Sequence, residues 1–148
     1  MASVKVGQEA PDFTLVNEAN EKVTLSELRG SPVVLVFYPF SFSGICTAEM
    51  CSIRDNYDGW MDKGAKVFGI SRDSRFVQGA FKKQENFKHS LLADTKGDAA
   101  TKYGVWNANL AAAERATFVI GRDGKVVYAI HNSIPDARDH STVEEHIK

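Results

Sequence analysis

The feature that most constrains this chain is an uncharged, mostly β-forming run from Val33 to Tyr38 that breaks at Pro39 and passes straight into a helical pattern. An apolar run without polar alternation reads as a parallel strand buried on both faces, as in layered α/β proteins. Phe40, Ser41, Phe42 and Ser43 carry the chain over to a helix predicted from about Gly44 to Asp62 and ended by Gly64. Its apolar positions are Ile45, Met50, Ile53, Tyr57, Trp60 and Met61, a helical spacing. The only two cysteines, Cys46 and Cys51, sit at or just inside the start of that helix. A strand running into a helix N-terminus is where α/β proteins place anion-binding and thiolate chemistry.

The flanking sequence extends the same architecture. Phe13 to Val16 and Lys22 to Leu25 read as short paired strands, followed by one helical turn at Ser26 to Arg29 closed by Gly30. Lys66 to Ser71 is a second buried strand. Asp73 or Ser74 caps a second helix, with Phe76, Ala80, Phe81 and Phe87 as its apolar markers. Leu91-Leu92 is a short strand, and Asp98 to Tyr103 a brief helix ended by Gly104. Ala116 to Ile120 and Val126 to Ile130 flank Gly121-Arg122-Asp123-Gly124, a hairpin signal, and Thr142 to Lys148 is expected to form a short terminal helix. Strands alternating with helices, then a final hairpin, predict an α/β fold. The expected form is a thioredoxin-like sandwich with a central mixed β-sheet flanked by helices. The expected organisation is one domain over residues 1–148, with no repeat or linker.

Composition narrows the function classes. Lys plus Arg number 18 against 19 Asp plus Glu, a net charge of -1, which gives no electrostatic reason to expect nucleic acid or an anionic membrane as partner. No apolar run approaches the roughly 20 residues of a membrane span, and Met1 to Gln8 lacks the apolar core of a signal peptide. The expected setting is therefore a reducing, cytoplasmic one. Two cysteines do not make a disulfide scaffold for a chain of this length, which leaves redox chemistry or plain burial.

At a helix N-terminus, Cys46 meets free backbone N–H groups and the positive end of the dipole, which favour thiolate. Ser43, three residues earlier, is able to turn its hydroxyl to the same spot, and Pro39 turns the strand end and helps close the pocket against water. A thiolate ringed by donors suits attack on a peroxide oxygen, because donors stabilise the charge that develops as the O–O bond breaks. The product on sulfur is a sulfenic acid. The alternative is a small buried core cysteine. The absence of C-x-x-C argues against a dithiol oxidoreductase, and C-x4-C with no nearby histidine is a poor metal site. His89, His131, His140 and His146 are scattered and expected to be solvated or loop residues. Arg115, ahead of Ala116 to Ile120, is by composition a surface arginine at a strand start. Glu49 reads as a first-turn acid complementing the helix dipole, placed also to hold Arg115.

These residues together resemble a peroxiredoxin. Pro39-x-x-x-Ser43-x-x-Cys46 matches the family's P-x-x-x-(T/S)-x-x-C loop, Glu49 follows the cysteine by three, and Arg115 in Glu114 to Ile120 matches the distant active-site arginine. The likeness runs from Val6-Gly7 and Ala10-Pro11-Asp12-Phe13-Thr14-Leu15 through Arg122-Asp123-Gly124. Phe42 to Cys46, Tyr103 to Asn107 and Ala137-Arg138-Asp139 look most like the alkyl hydroperoxide reductase E subgroup. The resemblance implies a thiol-dependent peroxidase acting on hydrogen peroxide, organic hydroperoxides or peroxynitrite, with no cofactor. Cys46 would be the nucleophile. Ser43 and Arg115 would bind the peroxide, Pro39 would shield it, and Glu49 would orient Arg115. Cys51 is spaced as the resolving cysteine of bacterioferritin-comigratory (Q-type) peroxiredoxins, so two subgroup features mix here. Its other reading is a buried helix residue.

Implied partners are a thiol reductant (thioredoxin, a glutaredoxin-like protein or a low-molecular-weight thiol) and a second copy of the chain. The homodimer face would be built on aromatics around Phe40, Phe42 and Trp106. Competing functions are a redox sensor or chaperone using the same thiolate, and a binding module with inert cysteines.

Overall fold

The computed structural model describes residues 3–132, 138, 140 and 142–148. Its strands are β1 (Thr14–Asn17), β2 (Lys22–Thr24), β3 (Val33–Phe37), β4 (Lys66–Ser71), β5 (Ser90–Ala93), β6 (Trp106–Asn107), β7 (Ala112–Ala113), β8 (Arg115–Ile120) and β9 (Val126–Asn132). Its α-helices are α1 (Gly44–Asp62), α2 (Arg75–Glu85) and α3 (Asp98–Lys102), with 3-10 turns at Leu25–Leu28 and Glu144–His146. Among the described residues, seven strands form one sheet in the order β2-β1-β5-β4-β3-β8-β9. β3, β4 and β5 run parallel, and α1 and α2 make the crossovers between them. β8 and β9 close one side antiparallel, β1 and β2 the other. The sheet is mixed and flanked by helices, as expected from the sequence. The tiny β6–β7 ribbon was not legible there: strands this short carry no period.

The unbroken apolar run of β3 is explained by its position. Val33, Leu35 and Phe37 pack in one core with Phe118 and Tyr103, while Val34, Val36 and Tyr38 pack in the other with Met50, Ile53 and Trp60 of α1. Alternate side chains leave a strand on opposite faces, so a strand covered on both must be apolar throughout. Within α1, Cys46, Glu49, Met50, Ile53 and Trp60 form the inward stripe. Ile45 and Met61, expected on that face, are exposed at the helix ends. Gly64 terminates α1 with φ +82° and donates its N–H to the Met61 carbonyl, a conformation open to glycine. No described helix is long and apolar enough to cross a membrane.

Two expectations fail here. Phe76 is 69% exposed, under the Arg75 guanidinium, and Ala80 is exposed as well. The buried face of α2 is instead Gln78 and Phe81. Gln78 is tolerated inside because its Nε2 donates to Ser71 Oγ (3.0 Å) and the Leu92 carbonyl (2.7 Å), so a polar residue took a core position that periodicity assigns to an apolar one. The second is partial. His89 is a loop residue, one of the two positions expected of it, but not a solvated one: it has no exposed surface, and neither ring nitrogen has a partner among the described residues. The ring packs between Phe87 (5.1 Å between centroids) and Tyr57 (6.3 Å).

Burial, helped by the Lys82 charge, pushes the His89 ring down to about 3. The ring is then neutral in the folded protein and protonates in the unfolded chain below its ordinary value of 6.5, so stability is full above that value and falls as pH drops toward 3. Between pH 7 and 5 this single group is expected to remove about 2 kcal/mol. Denaturant titrations of wild type and His89→Leu at both pH values test it. The wild type should lose that much more than the variant, and equal losses would refute the assignment.

Candidate active site

The site forms where β3 ends and α1 begins. β8 runs antiparallel to β3 with Phe37 opposite Ala116, so the start of β8 lies beside the end of β3. Within β8, Ala116, Phe118 and Ile120 join the core away from α1, and Val119 joins the core on the α1 side. Arg115 shares the parity of Val119 and Thr117 and therefore faces α1. This topology brings two residues 69 positions apart into contact: Arg115 Nη1 donates to Cys46 Sγ at 3.2 Å. The same Nη1 donates to Glu49 Oε1 at 2.5 Å. Arg115 is only 2% exposed, so the surface position suggested by composition is corrected. A guanidinium enters the interior when a carboxylate and sulfur meet it there.

Glu49 is the centre of a larger cluster. It is the sixth residue of α1, in the second turn, and not the first-turn acid that its spacing suggested. Arg138 grips it from the far side: Nε donates to Oε2 (2.9 Å), Nη2 to Oε1 (3.0 Å) and the Arg138 backbone N–H to Oε2 (2.7 Å). Arg138 Nη1 also donates to the Ala116 carbonyl (2.8 Å) and Thr117 Oγ1 (3.1 Å), and Thr117 Oγ1 meets His140 Nε2 at 2.9 Å. His140 is therefore a loop residue, as one of its two expected positions had it, but it is buried against Thr117 and Trp60 rather than solvated.

Burial works to raise the Glu49 carboxyl, but the Arg138 hydrogen bonds and the two guanidinium charges overcome it and hold the group below its usual range. Burial likewise lowers Arg138, against the pull of Glu49. Among the described residues, the Glu49 carboxylate is thus shared by two buried guanidiniums, with Cys46 Sγ beside one of them.

The loop between β3 and α1 is held from α2's side. Asp73 Oδ2 accepts from the Ser41 N–H (2.8 Å) and Ser71 Oγ (2.7 Å), while Tyr38 Oη lies 3.1 Å from Ser41 Oγ. Pro39 is buried at the turn. Phe42, with φ +68°, sets its ring on Phe81 at 5.0 Å and delivers Ser43 to the N-cap. The Ser43 carbonyl accepts from the Thr47 N–H (2.8 Å), but its hydroxyl makes no capping bond. Its Oγ is buried with no partner among the described residues, an arrangement that leaves the hydroxyl open to a ligand. Cys51 stands apart from this cluster, half-buried, with its Sγ–H directed at Glu85 Oε1 (3.6 Å). Of the aromatics expected at a dimer face, Phe42 is exposed, while Phe40 and Trp106 are half-buried.

The family model described as the AhpC/TSA family matches residues 6–129. The chain belongs to the AhpC/TSA family. It is 33% identical to peroxiredoxin Bcp of Bacillus subtilis over 131 residues, covering 84% of this chain and 83% of that one. It is 35% identical to the chloroplastic peroxiredoxin Q of Suaeda salsa over 134 residues, covering 90% and 62%. Among solved structures, peroxidoxin BcpB of Mycobacterium tuberculosis superposes with a TM-score of 0.85 at 33% identity, covering 96% of this chain and 94% of that one. These relatives make the chain a Q-type peroxiredoxin and a thiol-dependent peroxidase, on the side of the mixed resemblance that the second cysteine indicated.

Sequence reasoning missed Arg138, Thr117 and His140 as parts of this peroxiredoxin's site. Arg138 was noticed only within a subgroup likeness whose neighbours, Ala137 and Asp139, lie outside the described residues. An arginine outside any periodic element gives no sign of being buried. Its one available signal was its place in the Ala137-Arg138-Asp139 stretch of the resemblance.

Proposed function

We propose that Cys46 is the nucleophile, that Ser43 and Arg115 hold the peroxide, that Pro39 covers it, and that Glu49 positions Arg115. The observation that carries this reading is the single Arg115 Nη1 shared between Cys46 Sγ and Glu49 Oε1. In the reaction, the Cys46 thiolate attacks one peroxide oxygen. An S–O bond forms, the O–O bond breaks, and sulfur is oxidised by two electrons to sulfenic acid. The hydroxide or alkoxide that leaves takes up a proton; in this reading Arg115 and the Ser43 hydroxyl, buried without a partner among the described residues, are the donors that stabilise its developing charge. The chain's own groups supply the nucleophile and the donors, and an external thiol returns the electrons. A reducing cytoplasmic setting, with thioredoxin, a glutaredoxin-like protein or a small thiol as reductant, belongs to the same reading.

Cys51 is the resolving cysteine in this proposal. Its thiol gives up its proton and the thiolate attacks the sulfenic sulfur of Cys46, an S–S bond replaces the S–O bond, and the proton leaves with the hydroxide as water. Five residues along a helix rise about 7.5 Å and separate the two Cα atoms by roughly 8–9 Å, beyond the reach of a disulfide. The first turns of α1 therefore unwind when the bond forms. Mass spectrometry after one equivalent of peroxide is the test. Wild type should lose two hydrogens, and Cys51→Ser should gain one oxygen and keep it. A wild type that holds the sulfenic oxygen would remove Cys51 from the mechanism.

A further inference from the structure

The end of α2 does something that the peroxide site does not use. Glu85, its last residue, takes two groups of α1 at once. Its carboxylate accepts from Cys51 Sγ–H at 3.6 Å, and its backbone carbonyl accepts from Arg54 Nη1 at 2.8 Å. Arg54 is also tied to Asp55 on its own helix (3.2 Å). Both Cys51 and Glu85 are half-buried, so this clasp is partly shielded from water.

We propose that Glu85 is the latch on the second cysteine: it holds Cys51 on the α2 side as a neutral thiol and so sets how fast Cys51 reaches the sulfenic acid of Cys46. This rests on the reading of Cys51 as the resolving residue. The chemistry follows from the charge. A thiol donates a hydrogen bond to a carboxylate, whereas a thiolate beside a carboxylate is repelled, and only the thiolate attacks sulfenic sulfur quickly. The charged groups acting on Cys51 are Glu85 from α2 and Arg54 and Asp55 from α1. Burial, Glu85 and Asp55 raise the Cys51 thiol, and Arg54 alone opposes them. Cys51 must also leave Glu85 before the start of α1 can unwind. The latch thus lengthens the life of the sulfenic acid and gives an external thiol more time to meet it.

Two measurements on Glu85→Gln test this. The isosteric amide removes the charge and keeps the helix end. First, stopped-flow tryptophan fluorescence, with Trp60 and Trp106 as reporters, follows the disulfide-forming phase after peroxide. That phase should run roughly five- to tenfold faster in the variant, the upper part of the range that one ordinary net hydrogen bond is worth. Second, alkylation of Cys51 is followed against pH in a Cys46→Ser background, where it is the only thiol. Its midpoint should move to lower pH in the variant. If wild type forms a disulfide and the variant leaves either the rate or the midpoint unchanged, the latch is overturned while the resolving role stands. If wild type forms no disulfide, the resolving role fails and takes the latch with it.

Discussion

Cys46→Ser is expected to end peroxide consumption, with a loss of about 10⁴-fold or more in turnover, the scale seen when a sole nucleophile is removed. Serine keeps the volume and a hydrogen-bonding atom at the third residue of α1, so the fold should persist. The hydroxyl does not ionise near neutral pH, however, and nothing else in the cluster is able to take an oxygen from a peroxide and return it to a thiol. Cys51 does not substitute for it, because it lies against Glu85 and has neither Arg115 nor Ser43 beside it. A peroxide-consumption assay with a thiol reductant, run beside circular dichroism to verify folding, decides the matter. Turnover surviving in a folded variant would refute the assignment of Cys46.

Glu49→Gln should damage both the fold and the reaction. The carboxylate binds two buried guanidiniums, and removing its charge takes a shared counter-ion from both. Breaking a buried pair by deleting one partner costs about 3–5 kcal/mol, which in a chain of this size lowers the melting temperature by roughly 10–15 °C. The pH dependence has a definite sign. The Glu49 carboxyl is held below its ordinary value, so its contribution is complete above that value and is lost only as pH falls through the lowered one. At neutral pH the wild type therefore shows the full difference. On the chemistry, Arg115 loses the group that aims Nη1, and a displacement on the order of 1 Å costs about 10²-fold. Thermal melts with peroxide assays below the variant's melting range separate the two effects. A variant with wild-type melting temperature would show that Glu49 does not bear the arginines' charge, and one with wild-type rate would show that it does not position Arg115.

The local order of strand, loop and helix was legible because it is written in adjacent residues. The span of α1, the apolar run of β3 and the strand β4 each follow from period or from unbroken hydrophobicity, and so does the placement of Cys46 at a helix start. Errors fell where a polar group is buried by partners that lie far along the chain. Gln78 occupies a core face because of Ser71 and Leu92. His140 and Arg138 are buried because Thr117 and Glu49 receive them. His89 sits between aromatic rings from two other segments. Hydropathy scores a side chain by its water affinity, and it has no access to a hydrogen bond supplied by a distant residue.

The sequence by itself determined the setting of Cys46, since a thiol at the third position of a helix entered from a buried strand depends only on neighbours along the chain. The family-level motif depends on the same neighbours. Only the tertiary structure decided where the charges go: that β8, antiparallel to β3, brings Arg115 to the sulfur, that Arg138 grips the carboxylate between them, and that Cys51 points to α2 and not to Cys46. The reason is physical. A buried ion is tolerable only where its counter-ion is fixed within a few ångströms, and that distance is set by how strands pair across the sheet.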